Sequence, residues 1–189
     1  MRYVFIYGLL SGLVIMAVLI TGLTLVPHGE GLGGTVHTVW FGYLVMLVAL
    51  TFVFVAVKRY RDIECGGVIR FVRAFLIGLA TSGVAALAYV AIWEVYLAAT
   101  DYAFMGEYVE AMLRQSEAAG VTGAALAAQR AEWEALTAQY NSNPLMRVMF
   151  TFIEIAPAGL LVSLVSAALL RNPKFLPAGT RDVETKILT

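Results

Sequence analysis

Three ionisable residues in this chain fall within or beside apolar runs, where they could do chemistry: Glu94, Glu154 and His37. Carboxylates inside a membrane span are rare and tend to face a bundle interior, paired or wetted. Glu154 with Glu94 and His37 would make a proton or cation site. The plainer reading is a carboxylate hydrogen-bonded to Tyr, Trp or Thr close to the water boundary. His28, Glu30 and His37 are a second grouping with ligand-type side chains. Zinc needs at least three protein ligands at a workable spacing, and His-x8-His is not a recognised one, so no metal site is expected. No serine–histidine, paired-carboxylate or cysteine-based constellation has the spacing of a catalytic site. A non-enzymatic chain without a cofactor is expected.

The elements that must position these residues are four long apolar runs. Tyr3–Val26, Thr38–Val57 and Ala74–Trp93 hold no charged residue, and Val148–Leu170 holds only Glu154. About 20 predominantly apolar residues cross a hydrocarbon core as a helix. A helix satisfies its own backbone N–H and C=O groups there. Only 14% of the 189 residues are charged, against roughly 25% in a soluble domain, so a bilayer rather than a soluble core takes up the apolar surface. The first run is 24 residues long, beyond the roughly 7–15 of a signal h-region, and reads as a retained helix. The expected fold is all-α: an integral membrane four-helix bundle in one domain, 1–189. Its spans cover about 3–26, 36–58, 71–98 and 145–170, followed by a cytoplasmic tail over 171–189. Zero net charge argues against nucleic acid as a partner. Lone Cys65 allows no intramolecular disulfide.

Basic residues set the orientation. Arg2, Lys58, Arg59, Arg61, Arg70, Arg73, Arg171, Lys174, Arg181 and Lys186 lie on one side of the expected spans, and Arg114, Arg130 and Arg147 on the other. Basic loops stay cytoplasmic, so both termini are expected inside a bacterial inner membrane.

Helix one carries Gly8-x-x-x-Gly12, which permits close approach of a neighbouring backbone. The inner loop places Tyr60, Arg61 and Asp62 before the Gly66-Gly67 pair. Its basic groups are candidates for contact with anionic headgroups, and the glycines allow a tight reversal. The block Tyr60-Arg61-Asp62, then Gly66-Gly67, then Phe71, Ala74, Phe75 and Gly78, resembles an uncharacterised bacterial membrane family, domain of unknown function 4199. The Gly42-Tyr43 start of helix two, the long outer insertion and Asn143-Pro144-Leu145 also fit, over roughly residues 3–171. Cys65 stands where the family more often has a leucine-like residue. The resemblance implies a bacterial inner-membrane protein and supplies no catalytic residues.

Residues 101–143 read as an extracytoplasmic helical hairpin between helices three and four. Phe104, Met105, Tyr108, Val109, Met112 and Leu113 share one helical face. Gly120 stops the first helix, and the second carries Leu126, Trp133, Leu136 and Tyr140. Asn143 reads as an N-cap with Pro144 at the first helical position. Tyr108, Trp133 and Tyr140 form a candidate partner-binding face, although two amphipathic helices more ordinarily bury such stripes against each other. The bilayer, a membrane or periplasmic protein, and a second copy are the expected partners. Counted from Arg73 and Arg171 at about 1.5 Å per residue, Glu94 rises about 31 Å and Glu154 about 25 Å. That puts Glu94 at the outer interface and Glu154 just within the hydrocarbon, whose core is about 30 Å thick. The leading functional expectation is a structural or accessory subunit of an envelope assembly. Its rival is a small oligomeric proton- or cation-coupled transporter using Glu154.

Overall fold

A computed structural model describes residues 1–25 and 35–179, with the side chains of 1–21 and 43–179. Six helices account for most of it: α1 (Arg2–Leu25), α2 (Thr35–Arg59), α3 (Phe71–Ala99), α4 (Ala103–Ala118), α5 (Gly123–Ser142) and α6 (Pro144–Leu170). Four of them, α1, α2, α3 and α6, are long and apolar enough to cross a membrane. The α4–α5 hairpin lies between the third and fourth of these, as the sequence pattern predicts.

In the four-helix bundle α3 packs on α1 and α6, and α2 packs on the other sides of α1 and α6. Small residues let the backbones approach. A Cβ built on Gly8 would come within 2.8 Å of the Thr81 carbonyl oxygen, and one on Gly12 within 2.7 Å of that of Ala85. The Gly8-x-x-x-Gly12 face is therefore filled by α3 of the same chain. Between α3 and α6, Gly78 meets Ser163 and Gly159 meets Ser82. The Ser82 and Ser163 hydroxyls lie 3.2 Å apart, and Ser163 also donates to the Gly159 carbonyl at 2.7 Å. Such small hydroxyls satisfy themselves on backbone oxygens and let helices associate where lipid removes any hydrophobic drive.

Large side chains fill the two ends of the bundle. Ile15, Met16, Met46, Tyr89, Trp93, Leu97, Tyr140 and Ile155 belong to one buried cluster. Val57, Ile69, Ala74, Ala167 and Leu170 form another at the opposite end, with Phe175 packed against it. The helix expected to stop at Lys58 continues: α2 reaches Arg59 and passes into a π-helical turn, Tyr60–Glu64. A wider turn brings consecutive side chains toward one face, and both Arg61 and Asp62 are buried here. The reversal beyond uses Gly66 at φ +63° and Gly67 at φ +87°, left-handed values that glycine adopts at little cost.

The hairpin's turn follows from its sequence too. Gly120 sits at φ +90°; its N–H donates to the Glu117 carbonyl, and that of Val121 to Ser116. These two bonds satisfy carbonyls at the end of α4 in a Schellman arrangement. Asn143 caps α6 by accepting from the Met146 N–H at 3.2 Å, with Pro144 in the first turn.

Candidate functional site

Among the described residues, polar side chains of consequence gather at two places, one at each end of the bundle. The one at the hairpin end is built on Arg147, in the first turns of α6. Its side chain is buried, and it makes four hydrogen bonds. Nε donates to Glu94 Oε1 at 2.9 Å and Nη2 to Glu94 Oε2 at 2.8 Å. Nη1 donates to the carbonyls of Tyr140 and Asn141 at 3.1 and 2.9 Å. Those carbonyls belong to the last turn of α5, where no intrahelical N–H is left to serve them. The guanidinium also lies 4.8 Å from the centroid of the Tyr102 ring. One side chain thus joins α3, the α3–α4 connection, the end of α5 and α6.

The planar fork of an arginine suits this geometry, because it can grip a carboxylate with two parallel bonds and still offer donors elsewhere. Tyr102 has φ +57°, an uncommon backbone for a bulky residue and one kept only when its surroundings hold it. The stacking of Arg147 on its ring is such a restraint. Trp93 Nε1 donates to the Tyr140 hydroxyl at 3.1 Å. Burial raises the Tyr140 hydroxyl above the ordinary phenol range; the Trp93 bond and Arg147 oppose the rise, while Glu94 and Glu154 add to it.

Aromatic rings carry the connection along the hairpin. Trp93 meets Phe104 edge-on at 4.8 Å, Phe104 stacks on Tyr108 at 6.3 Å, and Tyr108 meets Trp133 edge-on at 6.4 Å. Of the three residues of the candidate partner face, Tyr140 is buried, and Tyr108 and Trp133 are half-buried in this ladder. Exposed charges on the hairpin are Glu110, Arg114 and Glu117 from α4, which with Arg130 of α5 line a shallow cleft, and Glu132 and Glu134 from α5.

The candidate intramembrane site does not come together as a trio among the described side chains. Glu94 is engaged by Arg147. Glu154 is exposed on the side of α6 and has no hydrogen-bond or ion-pair partner among the described residues. The backbone of His37 is in α2, but its side chain lies outside the described ones, as do residues His28 and Glu30 entirely. Pro157, one turn further along α6, has no N–H to give the Ile153 carbonyl.

The second place is the connection between α2 and α3. Arg61 Nε donates to Asp62 Oδ1 at 2.6 Å, and Lys58 reaches Asp62 Oδ2 at 2.5 Å. Arg61 also donates to the Phe175 carbonyl at 2.9 Å and to the Leu176 carbonyl. Its own carbonyl accepts from Gly67 N–H at 2.9 Å. Arg61 is fully buried and Asp62 nearly so; Arg61 clasps the segment after α6 and Asp62 braces it, so neither reaches outward. Tyr60 differs: its hydroxyl accepts from Arg73 at 2.6 Å in an exposed position, with that guanidinium 5.3 Å from the ring centroid.

The functional partner that sequence reasoning missed is Arg147, counted there simply as a basic residue of the outer side. Its position carried a signal. At about 1.5 Å per residue it stands about 36 Å above Arg171, close to the height of Glu94, and it has the opposite charge.

Among the described residues no group of three or more His, Cys, Asp or Glu side chains is placed to hold a metal ion. No curated protein and no solved structure matches the chain. What does match is a model of a bacterial protein family of unknown function, DUF4199, over residues 6–172, so this multi-pass membrane chain is a member of that family.

Proposed function

We propose that this protein is a non-enzymatic structural or interaction subunit of an envelope assembly in the bacterial inner membrane, with both termini cytoplasmic and the hairpin outside. The observation that carries this reading is the mounting of the hairpin. A buried Arg147 fastens α5 to α3 and α6, and an aromatic ladder runs from Trp93 to Trp133. Such double anchoring fits a rigid surface held at a set height above the bilayer. The buried bundle hydroxyls of Ser11, Thr81 and Ser163 all donate to backbone carbonyls, which suits a packed interior more than a conduction path.

The test is photo-crosslinking in cells from exposed hairpin positions, Glu110 on α4 and Glu132 on α5. A single recurrent partner protein is the expected product, reduced when Trp133→Ala or Tyr108→Ala loosens the hairpin. Recovery of this chain alone, with no partner from either position, would sink the reading. Orientation has its own test in Cys65, which lies in the inner loop. It should resist a membrane-impermeant maleimide in intact cells and react after permeabilisation.

A second reading, a small oligomeric proton- or cation-coupled transporter, is favoured by one observation: Glu154 sits in a membrane-crossing helix without a hydrogen-bond or ion-pair partner among the described residues. Flux through purified protein in liposomes that Glu154→Gln abolishes would support it, and flux indifferent to that change would dismiss it.

A further inference from the structure

The outward face of α6 carries a regular stripe. Phe150, Glu154, Pro157, Leu161, Leu164 and Ala168 recur in alternating steps of four and three, and all six are exposed. This is the spacing of a heptad seam, the geometry shared by left-handed helix pairs in membranes. The helix already commits other positions to its own bundle: Gly159 and Ser163 lie against α3, and Ala158 packs with Leu50 and Val53 of α2. The stripe faces away from both.

Five of its six side chains are apolar, and lipid tails can cover them at no cost. Glu154 is different. Hydrocarbon offers a carboxyl no hydrogen bond, and a polar group left unsatisfied there is expensive. Glu94, the carboxylate in α3, has been given Arg147. Whatever covers Glu154 must bring a matching polar group at one particular depth, on an otherwise apolar helix face.

A second copy of the chain does this by symmetry. A two-fold axis along the membrane normal sets each residue opposite itself at a single depth, because an isologous interface pairs the same surface on both subunits. A carboxyl that holds a proton donates through its O–H and accepts through its other oxygen, so two Glu154 side chains meeting at such an axis are complementary to each other. A lone polar residue in an apolar seam also fixes register, as a polar position does in coiled coils. The geometry points to a homodimer in which two α6 helices pack along this stripe, the Glu154 carboxyl of each copy hydrogen-bonded to that of the other.

The test uses full-length protein in native membranes, carrying Cys65→Ser and one new cysteine at a time. Under mild oxidation Leu161→Cys and Leu164→Cys should each give a covalent dimer. Leu87→Cys is the control: it is strongly exposed on α3 and, by the α3–α6 pairing of Gly78 with Ser163 and Ser82 with Gly159, lies level with Glu154. It should remain monomeric. In the Leu161→Cys background, Glu154→Leu should lower dimer yield roughly tenfold, the loss of an interhelical hydrogen bond. Glu154→Gln, whose amide can pair with its own copy, should stay within about twofold of the parent. Equal yields at Leu87, no dimer at Leu161 and Leu164, a disulfide to some other protein, or a Glu154→Leu dimer as abundant as the parent would each overturn the proposal. Neither the transport nor the accessory reading assigns a seam to these α6 positions, so their failure and this one are separable.

Discussion

Arg147 of α6 and Glu94 of α3 meet in a two-pronged ion pair, at 2.9 and 2.8 Å, at the level where the bundle gives way to the hairpin. The pair lies in the same antiparallel register as two contacts deeper in the bundle. Climbing α3 from Gly78 through Ser82 to Glu94 descends the numbering of α6 in equal steps, from Ser163 through Gly159 to Arg147. Close packing of small residues therefore sets which charges can meet at the hairpin end. The Arg147 side chain is 3% exposed and that of Glu94 27%, so the cation depends on its partners more than the anion does.

Arg147→Met should destabilise the hairpin end of the bundle by about 1–3 kcal/mol, the cost of leaving the Tyr140 and Asn141 carbonyls unserved, because Glu94, 27% exposed, can turn to water. Hydrogen exchange would read this as faster exchange in the last turn of α5. Arg147→Lys should recover little of it, because an ammonium cannot both grip Glu94 with two parallel bonds and serve two carbonyls. The double change Glu94→Gln with Arg147→Met should cost less than the sum of the single ones. Strict additivity would mean the two residues act separately.

The α1–α3 contact separates glycines that are needed from one that is not. Gly12→Val should cost about 1–3 kcal/mol, since its Cβ would meet the Ala85 carbonyl and Ala88 Cβ at 2.7 Å, and overpacking costs that much. Gly83→Ala, with nothing within 4 Å, should be neutral or stabilising by up to about 1 kcal/mol, the helix-propensity gain. Unfolding titrations in mixed micelles would rank them. An equal penalty for both would place the cost in backbone entropy instead of packing.

Much of this architecture was legible in the residues. Apolar length gave the four membrane helices, Gly120 the hairpin turn, and Asn143-Pro144 the start of α6, because each depends on local chemistry. The contacts between helices were less so. Gly78 and Ser82 are four apart, as are Gly159 and Ser163, so both small-residue stripes were visible; which stripe meets which is a tertiary fact. The aromatic stripes of α4 and α5 likewise did not reveal that they continue into Trp93 at the top of α3. Arg61 and Asp62 read as candidates for headgroup contact because nothing in their neighbourhood points to carbonyls 114 and 115 residues from Arg61.

The Arg61 clasp makes a prediction about proteolysis. Arg61→Leu removes the donors that hold the Phe175 and Leu176 carbonyls and strands Asp62 with Lys58 alone, at a cost on the order of 3 kcal/mol. In detergent solution trypsin should then cut after Arg171 and Lys174 markedly faster than in the parent protein. Unchanged cleavage would show that the segment after α6 is held by Phe175 packing on Phe54, a ring contact at 6.5 Å, without help from the clasp.

Alkali should loosen the base of the hairpin through Tyr140. Its hydroxyl is held above the ordinary phenol range chiefly by burial, so the folded state keeps the proton more tightly than the unfolded one. The stabilisation is complete below the unfolded value, about 10, and is lost as pH rises through the higher folded value. Fluorescence of Trp93, which donates to that hydroxyl, reports the change if Trp40 and Trp133 are replaced by Phe. The expected result is a signal steady through neutral pH that shifts above pH about 10, together with a falling unfolding midpoint. Tyr140→Phe removes the titrating group and should flatten the Trp93 response over that window. A response that persists in the Phe variant would assign the alkaline sensitivity to another group.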